Sequence, residues 1–192
     1  ASDPEILFFD EPLSAIDYRL RKSLEVELKE LHQRTGRTFV YITHSLEEAM
    51  VMSDRIAIMQ DGRIIQIGTP AEIYSAPANR FVASFMGEVN LLTVEHAAEG
   101  ATVFAEIGQP LESPKGAYAM IRPEALLLGP GEVSARLTVT QRLMLGSRTQ
   151  VHLVSDSGAT LISELPGTAP GLEIGTTHLF SFAAHDIAWM DT

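Results

Sequence analysis

The apolar positions at the start of the chain predict a buried strand, an amphipathic helix and a second buried strand. Ile6 to Phe9 form an uninterrupted apolar run, which is typical of a strand covered on both faces, and residues 39–42 form another. Between them, leucines recur at helical spacing from about Asp17 to Arg34, and Gly36 follows as a helix stop. The pattern predicts a βαβ unit with parallel strands and a right-handed crossover.

Charged residues on this helix are spaced for ion pairs between neighbouring turns. Arg21 and Glu25 lie four residues apart, and so do Glu25 and Lys29. Opposite charges at this spacing stabilise a helix. We therefore expect these two pairs to form.

Polar residues follow both predicted strands. Asp10-Glu11 ends the first strand and Thr43-His44 ends the second. Because parallel strands end at the same edge of a sheet, where open α/β sheets bind ligands, we expect the four side chains to converge. Asp10 and Glu11 point to opposite faces, so one can hold a hydrated Mg²⁺ while the other orients a water for attack on a γ-phosphate. Alternatively, the acidic pair caps the next turn, and His44 is a capping or packing residue.

Cap and turn signals predict the elements that follow. Ser45 with Glu48 forms a capping box at the start of a short helix, and Asp61-Gly62 lies between two apolar runs as a hairpin turn. A further helix is predicted to begin at Thr69-Pro70, and another over residues 79–86.

The pattern changes near Gly87, where we place a domain boundary. Short β-rich runs then alternate with glycine and proline turns, which predicts a small barrel or sandwich over residues 88–192. These runs are 91–94, 118–121, 136–140, 149–154 and 178–182. Charge also differs between the two parts: residues 1–87 hold nine basic and thirteen acidic side chains, whereas 88–192 hold five and twelve. Two domains are therefore predicted.

Composition excludes several classes of protein. The chain has 192 residues, of which 45% are hydrophobic, as in globular proteins, and its net charge of −11 disfavours nucleic acid and anionic lipid as partners. It has no cysteine for a disulfide or thiolate site, and no membrane span or export signal. The other histidines lack the spacing of a metal site and are interpreted as surface or packing residues. They are His32, His96, His152, His178 and His185.

The sequence from Ile6 to Gly87 resembles the second half of an ATP-binding cassette (ABC) ATPase. The stretch ILFFDEPLSAID, followed by a helix and by VYITHS, is similar to that family. The run ending in Asp10-Glu11 resembles the Walker B strand, and His44 resembles the switch histidine. Residues 14–17 resemble the D-loop, with Ile16 where leucine is commoner.

This resemblance implies roles for the matching residues. Asp10 would help to hold Mg²⁺, Glu11 would polarise the attacking water, and His44 would contact the γ-phosphate of ATP. Ser14 and Asp17, in the D-loop, would lie beside nucleotide, with Asp17 reaching across a dimer that sandwiches it.

After Gly87 the chain resembles the OB-like β module, called TOBE, of importer ATPases. Residues 87–91, the stretch 121–124 and Gly146-Ser147 carry this similarity. Arg122 and Glu124 either contact a small anion in a groove or form a structural turn with an internal ion pair.

The fold class expected is a partial α/β nucleotide-binding domain, consisting of a parallel βαβ remnant with a hairpin and helices, followed by an all-β OB-like (TOBE) domain. Neither GxxxxGK with a following Ser or Thr nor an LSGGQ-like stretch occurs in the sequence. We therefore expect the C-terminal part of a longer subunit that uses ATP and Mg²⁺, while this part alone binds ATP weakly and is inactive. Exposed apolar sheet edges predict an oligomer or a swapped arrangement.

The function expected is that of the cytosolic ATPase of an ABC importer, at the inner face of the cell membrane. Its partners would be a second copy, the permease subunits and, indirectly, a solute-binding protein. The stretches FMGEVN and IRPE resemble subunits for polyamine, ferric iron, sulfate or thiosulfate uptake. Two alternatives remain at this stage: a non-enzymatic regulatory or dimerisation module that binds a small ligand, and a receiver-like domain with Asp10 as phosphoacceptor.

Overall fold

The beginning of the chain forms the predicted parallel βαβ unit in the computed structural model, which describes residues 4–96, 102–111 and 114–191. Strand β1 (Ile6–Asp10) pairs in parallel with β2 (Thr38–Ile42), and helix α1 (Tyr18–Thr35) connects them. The prediction of strand, helix and parallel strand is therefore confirmed.

Helix α1 begins near the predicted residue and ends at the predicted glycine. The Asp17 carboxylate accepts a hydrogen bond from the Leu20 N–H at 3.2 Å, which caps the first turn. Gly36 adopts a φ of 62° and donates its N–H to the His32 carbonyl. Glycine suits this position because a side chain disfavours the left-handed backbone.

The expectation that β1 is buried on both faces is wrong. Phe9 is half-buried and its ring lies 4.8 Å from that of Tyr41 on β2. On the opposite face, however, Phe8 is 73% exposed and Ile6 is 49% exposed. The reason is that helix α1 packs on the Phe9 face, through a ring contact of His32, whereas no such layer covers the Phe8 face in the described residues. The predicted oligomer stays a prediction.

The predicted ion pairs along α1 are also wrong. Glu25, which is only 2% exposed, pairs with Lys22 at 3.0 Å instead of with Arg21 or Lys29. Lys29 donates to the Val51 carbonyl at 2.9 Å. Because α2 (Leu46–Met52) offers partners beside α1, tertiary contacts replace the pairing expected within one helix.

The next elements follow the predicted caps and turns. Ser45 accepts a hydrogen bond from the Glu48 N–H at the start of α2. Strands β3 (Ile56–Gln60) and β4 (Arg63–Gly68) form the predicted hairpin, with φ of 50° at Asp61 and 74° at Gly62. Helices α3 (Pro70–Ser75) and α4 (Arg80–Phe85) follow, as predicted.

Two antiparallel five-stranded sheets form the described part of residues 90–190. Their strands are β5 (Asn90–His96), β6 (Thr102–Phe104), β7 (Pro110–Leu111), β8 (Tyr118–Ile121), β9 (Leu127–Leu128), β10 (Val133–Met144), β11 (Arg148–Val154), β12 (Thr160–Pro166), β13 (Thr177–Phe182) and β14 (Ala188–Met190). The orders are β12-β11-β10-β13-β9 and β14-β8-β5-β6-β7. Short 3-10 helices cover Pro123–Ala125 and Ala184–Asp186. The prediction of an all-β, TOBE-like domain is confirmed.

The core of this β part draws on both sheets. Phe104 and Leu92 come from one sheet, whereas Leu153 and Phe180 come from the other, and all four are at most 1% exposed. Asn90 joins the sheets directly: its amide donates to the Ile162 carbonyl at 2.8 Å and accepts from the Ile162 N–H at 2.7 Å. The side chain thereby pairs with the backbone of edge strand β12 as a neighbouring strand would.

Contacts divide the chain into two units, residues 1–74 and 75–192, which we call the N-terminal and C-terminal units. Helix α4 belongs to the second unit because Ala83 packs against Met120 and Met190. The contacts thus divide the chain between residues 74 and 75, ahead of the boundary predicted at Gly87. The domain boundary at Gly87 stays a prediction. No helix among the described residues has the length and apolar character needed to cross a bilayer.

Candidate functional site

Glu11 and His44 meet at the edge of the sheet where β1 and β2 end. The Glu11 N–H donates to the Ile42 carbonyl at 2.8 Å, which extends the parallel pairing by one residue. Its Oε1 lies 3.1 Å from Nδ1 of His44. The side chains are 47% and 74% exposed, so a ligand can reach both. The topology predicted this convergence, and the two groups are in hydrogen-bond contact.

The backbone of Glu11 adopts a conformation that is unfavourable for a residue with a side chain. Its φ is 45°, in the left-handed region, where a non-glycine residue costs about 1 kcal/mol. The turn is fixed because Ser14 donates its Oγ–H, at 3.0 Å, and its N–H, at 3.3 Å, to the Glu11 carbonyl. Strain at an exposed polar strand end is typical of functional sites.

Asp10, Ser14 and Asp17 lie close in sequence but differ in their contacts. Asp10 is exposed at the last position of β1, on the same face as Phe8. Ser14 holds the turn of Glu11. In the described part of the chain, the hydrogen bonds of Asp17 go to the first turn of α1 and not to Glu11 or His44. The structure therefore joins Glu11 with Ser14 and His44, and gives Asp17 a capping role.

Two charged residues near this edge, Glu48 and Arg21, make structural contacts that the sequence did not predict. Glu48, read from the sequence only as a capping residue, is 5% exposed and accepts a hydrogen bond from the Thr43 hydroxyl at 2.9 Å. Arg21, read there only as a helix-surface partner, donates to the Ile16 carbonyl at 2.9 Å. The sequence signal for both was a charge next to the predicted site, which does not by itself reveal burial.

Burial and hydrogen bonding shift two pKa values near the site. Partial burial raises the pKa of Tyr41, so its hydroxyl stays neutral. The Glu47 carboxylate, followed by Glu25, raises the pKa of Lys22, which stays charged. Neither shift creates a group that titrates near neutral pH.

The donors present fit one part of a nucleotide site. No group of three or more His, Asp or Glu side chains in the described residues could enclose a metal ion. Mg²⁺ in nucleotide sites, however, is bound by one or two carboxylates together with phosphate and water oxygens. Asp10 can supply the one carboxylate that such a site needs from the protein. The glycine-rich loop that cradles phosphate is missing from the sequence. The residues therefore fit the hydrolytic side of such a site and lack its phosphate-binding side.

Arg122, in the C-terminal unit, has a structural position. It is 6% exposed, and its guanidinium donates to the carbonyls of Ala83, at 3.1 Å, and Glu88, at 3.3 Å. Pro123–Ala125 forms a 3-10 turn directly after it. These contacts favour the reading of a structural turn over that of an anion site.

The chain is similar to known proteins in both of its parts. Residues 119–190 match the family model of the TOBE domain. The curated relatives are import ATP-binding proteins, and the chain belongs to their family, the ATP-binding subunits of ABC importers, matching a C-terminal part that ends in a TOBE domain.

Three relatives illustrate the match. The chain is 41% identical over 169 residues to a spermidine/putrescine import ATP-binding protein of Mesorhizobium japonicum, covering 82% of this chain and 46% of that protein. It is 43% identical over 175 residues to the protein of that name from Rubrobacter xylanophilus, covering 83% and 46%. It is 36% identical over 189 residues to an Fe(3+) ions import ATP-binding protein of Streptomyces coelicolor, covering 97% and 54%. The chain thus spans about half the length of the curated relatives it matches.

Proposed function

We propose that this chain is the C-terminal part of the ATP-hydrolysing subunit of an ABC importer. Residues 1–87 would form the later half of an α/β nucleotide-binding domain, and residues 88–192 its TOBE-like regulatory domain. The contact of 3.1 Å between Glu11 and His44 carries the proposal, because a carboxylate and an imidazole from separate strands meet at the edge where α/β sheets bind ligands. Membership of the importer family supports it.

Glu11 and His44 would act together at the attacked phosphate. The Glu11 carboxylate accepts a hydrogen bond from water and orients it for in-line attack. Nδ1 of His44 is engaged with Glu11, so Nε2, on the far side of the ring, would face a phosphate oxygen. Their mutual hydrogen bond restrains both side chains, which reduces the entropy lost when they align.

The other predicted residues would bind metal and the partner copy. Asp10 would hold a hydrated Mg²⁺, whose charge neutralises phosphate oxygens. Ser14 and Asp17 would present their turn to nucleotide across a dimer of two copies. Because the phosphate cradle is missing from the sequence, this chain alone would bind ATP weakly.

The cargo and partners follow from the family. Relatives are named for spermidine/putrescine and for Fe(3+) import, so we propose polyamine or ferric iron as the cargo class. Sulfate and thiosulfate stay predictions of the sequence. The subunit would act at the cytoplasmic face of the membrane on permease subunits, which receive cargo from a solute-binding protein.

The test is ATP turnover by a complete subunit that contains this sequence. Glu11→Gln keeps the size of the side chain and removes its charge, so we expect hydrolysis to fall at least about a hundredfold while ATP binding persists. Glu5→Gln, on the residue before β1, is the matched control and should stay within about twofold. Full hydrolysis by Glu11→Gln would disprove the assignment.

A further inference from the structure

We infer that Arg21, Glu48 and Thr43 form a positioning network, which couples the turn containing Glu11 to the segment carrying His44. The inference rests on the proposed function for its consequence in catalysis. Its structural part, the coupling of two segments, stands on contacts alone. None of the three residues is placed against nucleotide.

The first link joins Glu48 to the His44 segment. The Thr43 hydroxyl donates to Oε2 of Glu48 at 2.9 Å and accepts from the Ser45 N–H at 3.0 Å. The Glu48 N–H in turn donates to the Ser45 hydroxyl at 3.3 Å. The residues on both sides of His44 are therefore tied to one carboxyl residue, whereas the imidazole itself is free to contact Glu11.

The second link joins Glu48 to the turn that follows Glu11. Nη1 of Arg21 lies 4.0 Å from Oε1 of Glu48, while Nη2 donates to the Ile16 carbonyl at 2.9 Å. Ile16 is held to Leu13, and Ser14 to Glu11, by successive turn hydrogen bonds. One guanidinium thus contacts both the turn and the carboxylate that holds the His44 segment.

Low exposure strengthens the attraction between Arg21 and Glu48. The Glu48 side chain is 6% exposed and that of Arg21 is 31% exposed, so water screens their attraction poorly. A buried carboxylate that loses a partner leaves an uncompensated charge, which forces its surroundings to rearrange. Removing one member should therefore loosen both segments, and not only the residue changed.

A neighbouring pair on the same two helices provides a matched control. Lys22 contacts Glu47 at 2.7 Å, a shorter distance than that between Arg21 and Glu48, but the Glu47 side chain is 62% exposed. Exposed pairs contribute little. Glu47→Gln thus repeats the chemistry of Glu48→Gln one residue away, without touching the network.

The first experiment measures hydrogen exchange in the 192-residue chain, without nucleotide. We expect Glu48→Gln to speed exchange about tenfold in peptides covering residues 11–17 as well as 43–48, because both segments open more often. Glu47→Gln should change neither segment. Faster exchange at 43–48 alone, or in neither segment, would overturn the coupling.

Thr43 supplies a second pair of variants in case Glu48→Gln does not fold. Thr43→Val removes the hydroxyl at nearly constant size, whereas Thr43→Ser keeps it. We expect faster exchange in both segments with valine and wild-type exchange with serine. Equal behaviour of the two variants would show that the hydroxyl does not transmit the coupling.

The last experiment measures steady-state ATP hydrolysis in the complete subunit. We expect Glu48→Gln and Thr43→Val to lower kcat about tenfold with KM changed less than about twofold, because the network orients Glu11 and His44 and does not bind ATP. Unchanged kcat, or a loss confined to KM, would overturn the positioning role. Failure of the proposed function would show differently, as full hydrolysis by Glu11→Gln, and would leave the exchange results valid.

Discussion

The two units differ in how much apolar core they have. In the N-terminal unit the carboxylates Glu25 and Glu48 are 2% and 5% exposed, beside a few buried leucine and isoleucine side chains, while Phe8 is 73% exposed. In the C-terminal unit Phe104 and Phe180 are fully buried in one apolar cluster to which both sheets contribute. The second unit thus has a large apolar core between two sheets, whereas the first combines a small apolar core with buried carboxylates.

This difference separates stability from chemistry along the chain. A closed apolar core gives stability in proportion to buried area, as in the C-terminal unit. Buried carboxylates contribute less to stability than apolar side chains do, and they fix the positions of their partners, as around Glu48 in the N-terminal unit. We therefore expect substitutions in the C-terminal unit to affect unfolding, and those near Glu48 to affect the orientation of the site.

The largest expected effect is that of Phe180→Ala. This ring is fully buried, so its removal should lower the free energy of unfolding of the C-terminal unit by about 3–5 kcal/mol. Urea unfolding followed by tryptophan fluorescence measures it, since Trp189, the only tryptophan, stacks on Phe104 in the same core. Phe8→Ala is the control and should leave the midpoint unchanged. Equal shifts in the two variants would break the contrast between the units.

The next effect is that of Asn90→Leu, which tests the link between the sheets. The substitution leaves the N–H and carbonyl of Ile162 without the two hydrogen bonds from Asn90, which should cost about 2 kcal/mol. The same fluorescence experiment detects it. Asn90→Asp keeps the acceptor and loses the donor. We therefore expect it also to lower the free energy of unfolding, by an amount different from that of Asn90→Leu. No loss with leucine would show that the sheets hold together by apolar packing alone.

The smallest effect is a pH dependence at the start of α3. Hydrogen bonds from the Thr69 N–H and hydroxyl lower the pKa of Glu72 from its ordinary 4.5. Its contribution to stability is therefore complete above the ordinary value and is lost as pH falls through the lower folded value. The amide shift of Thr69 should titrate with a midpoint below 4.5 and stay constant in Glu72→Gln. A midpoint at or above that value would contradict the cap.

Local signals in the sequence predicted most of the N-terminal unit. The cap at Ser45, the helix stop at Gly36 and the turn at Asp61-Gly62 depend on neighbours in sequence, so the sequence predicted them. The exposure of Phe8 was not, because an apolar run does not say whether a layer packs over each face of its strand. Arg21 and Lys29 contact Glu48 and Val51 on helix α2 instead of Glu25, which the spacing along α1 does not show.

In the C-terminal unit, each predicted run matches a strand, but several very short strands and the longer strand β12 were missed. Strands such as Pro110–Leu111 and Leu127–Leu128 are too short to show a period. Strand β12 was missed because Ser163, a polar residue, points into the core and donates to the Leu126 carbonyl, which interrupts the apolar alternation. Of the site, topology predicted that Glu11 and His44 meet, but the coupling through Arg21 required coordinates.

At Glu11 the left-handed backbone favours glycine, whereas the proposed chemistry requires the carboxylate side chain. A chain optimised only for thermal endurance would carry glycine at this position, where the torsion angle of 45° suits a residue without a side chain. Under the function proposed above, that exchange would remove the carboxylate on which hydrolysis depends. Residue 11 is therefore a position where a substitution that makes the fold more durable would lower turnover.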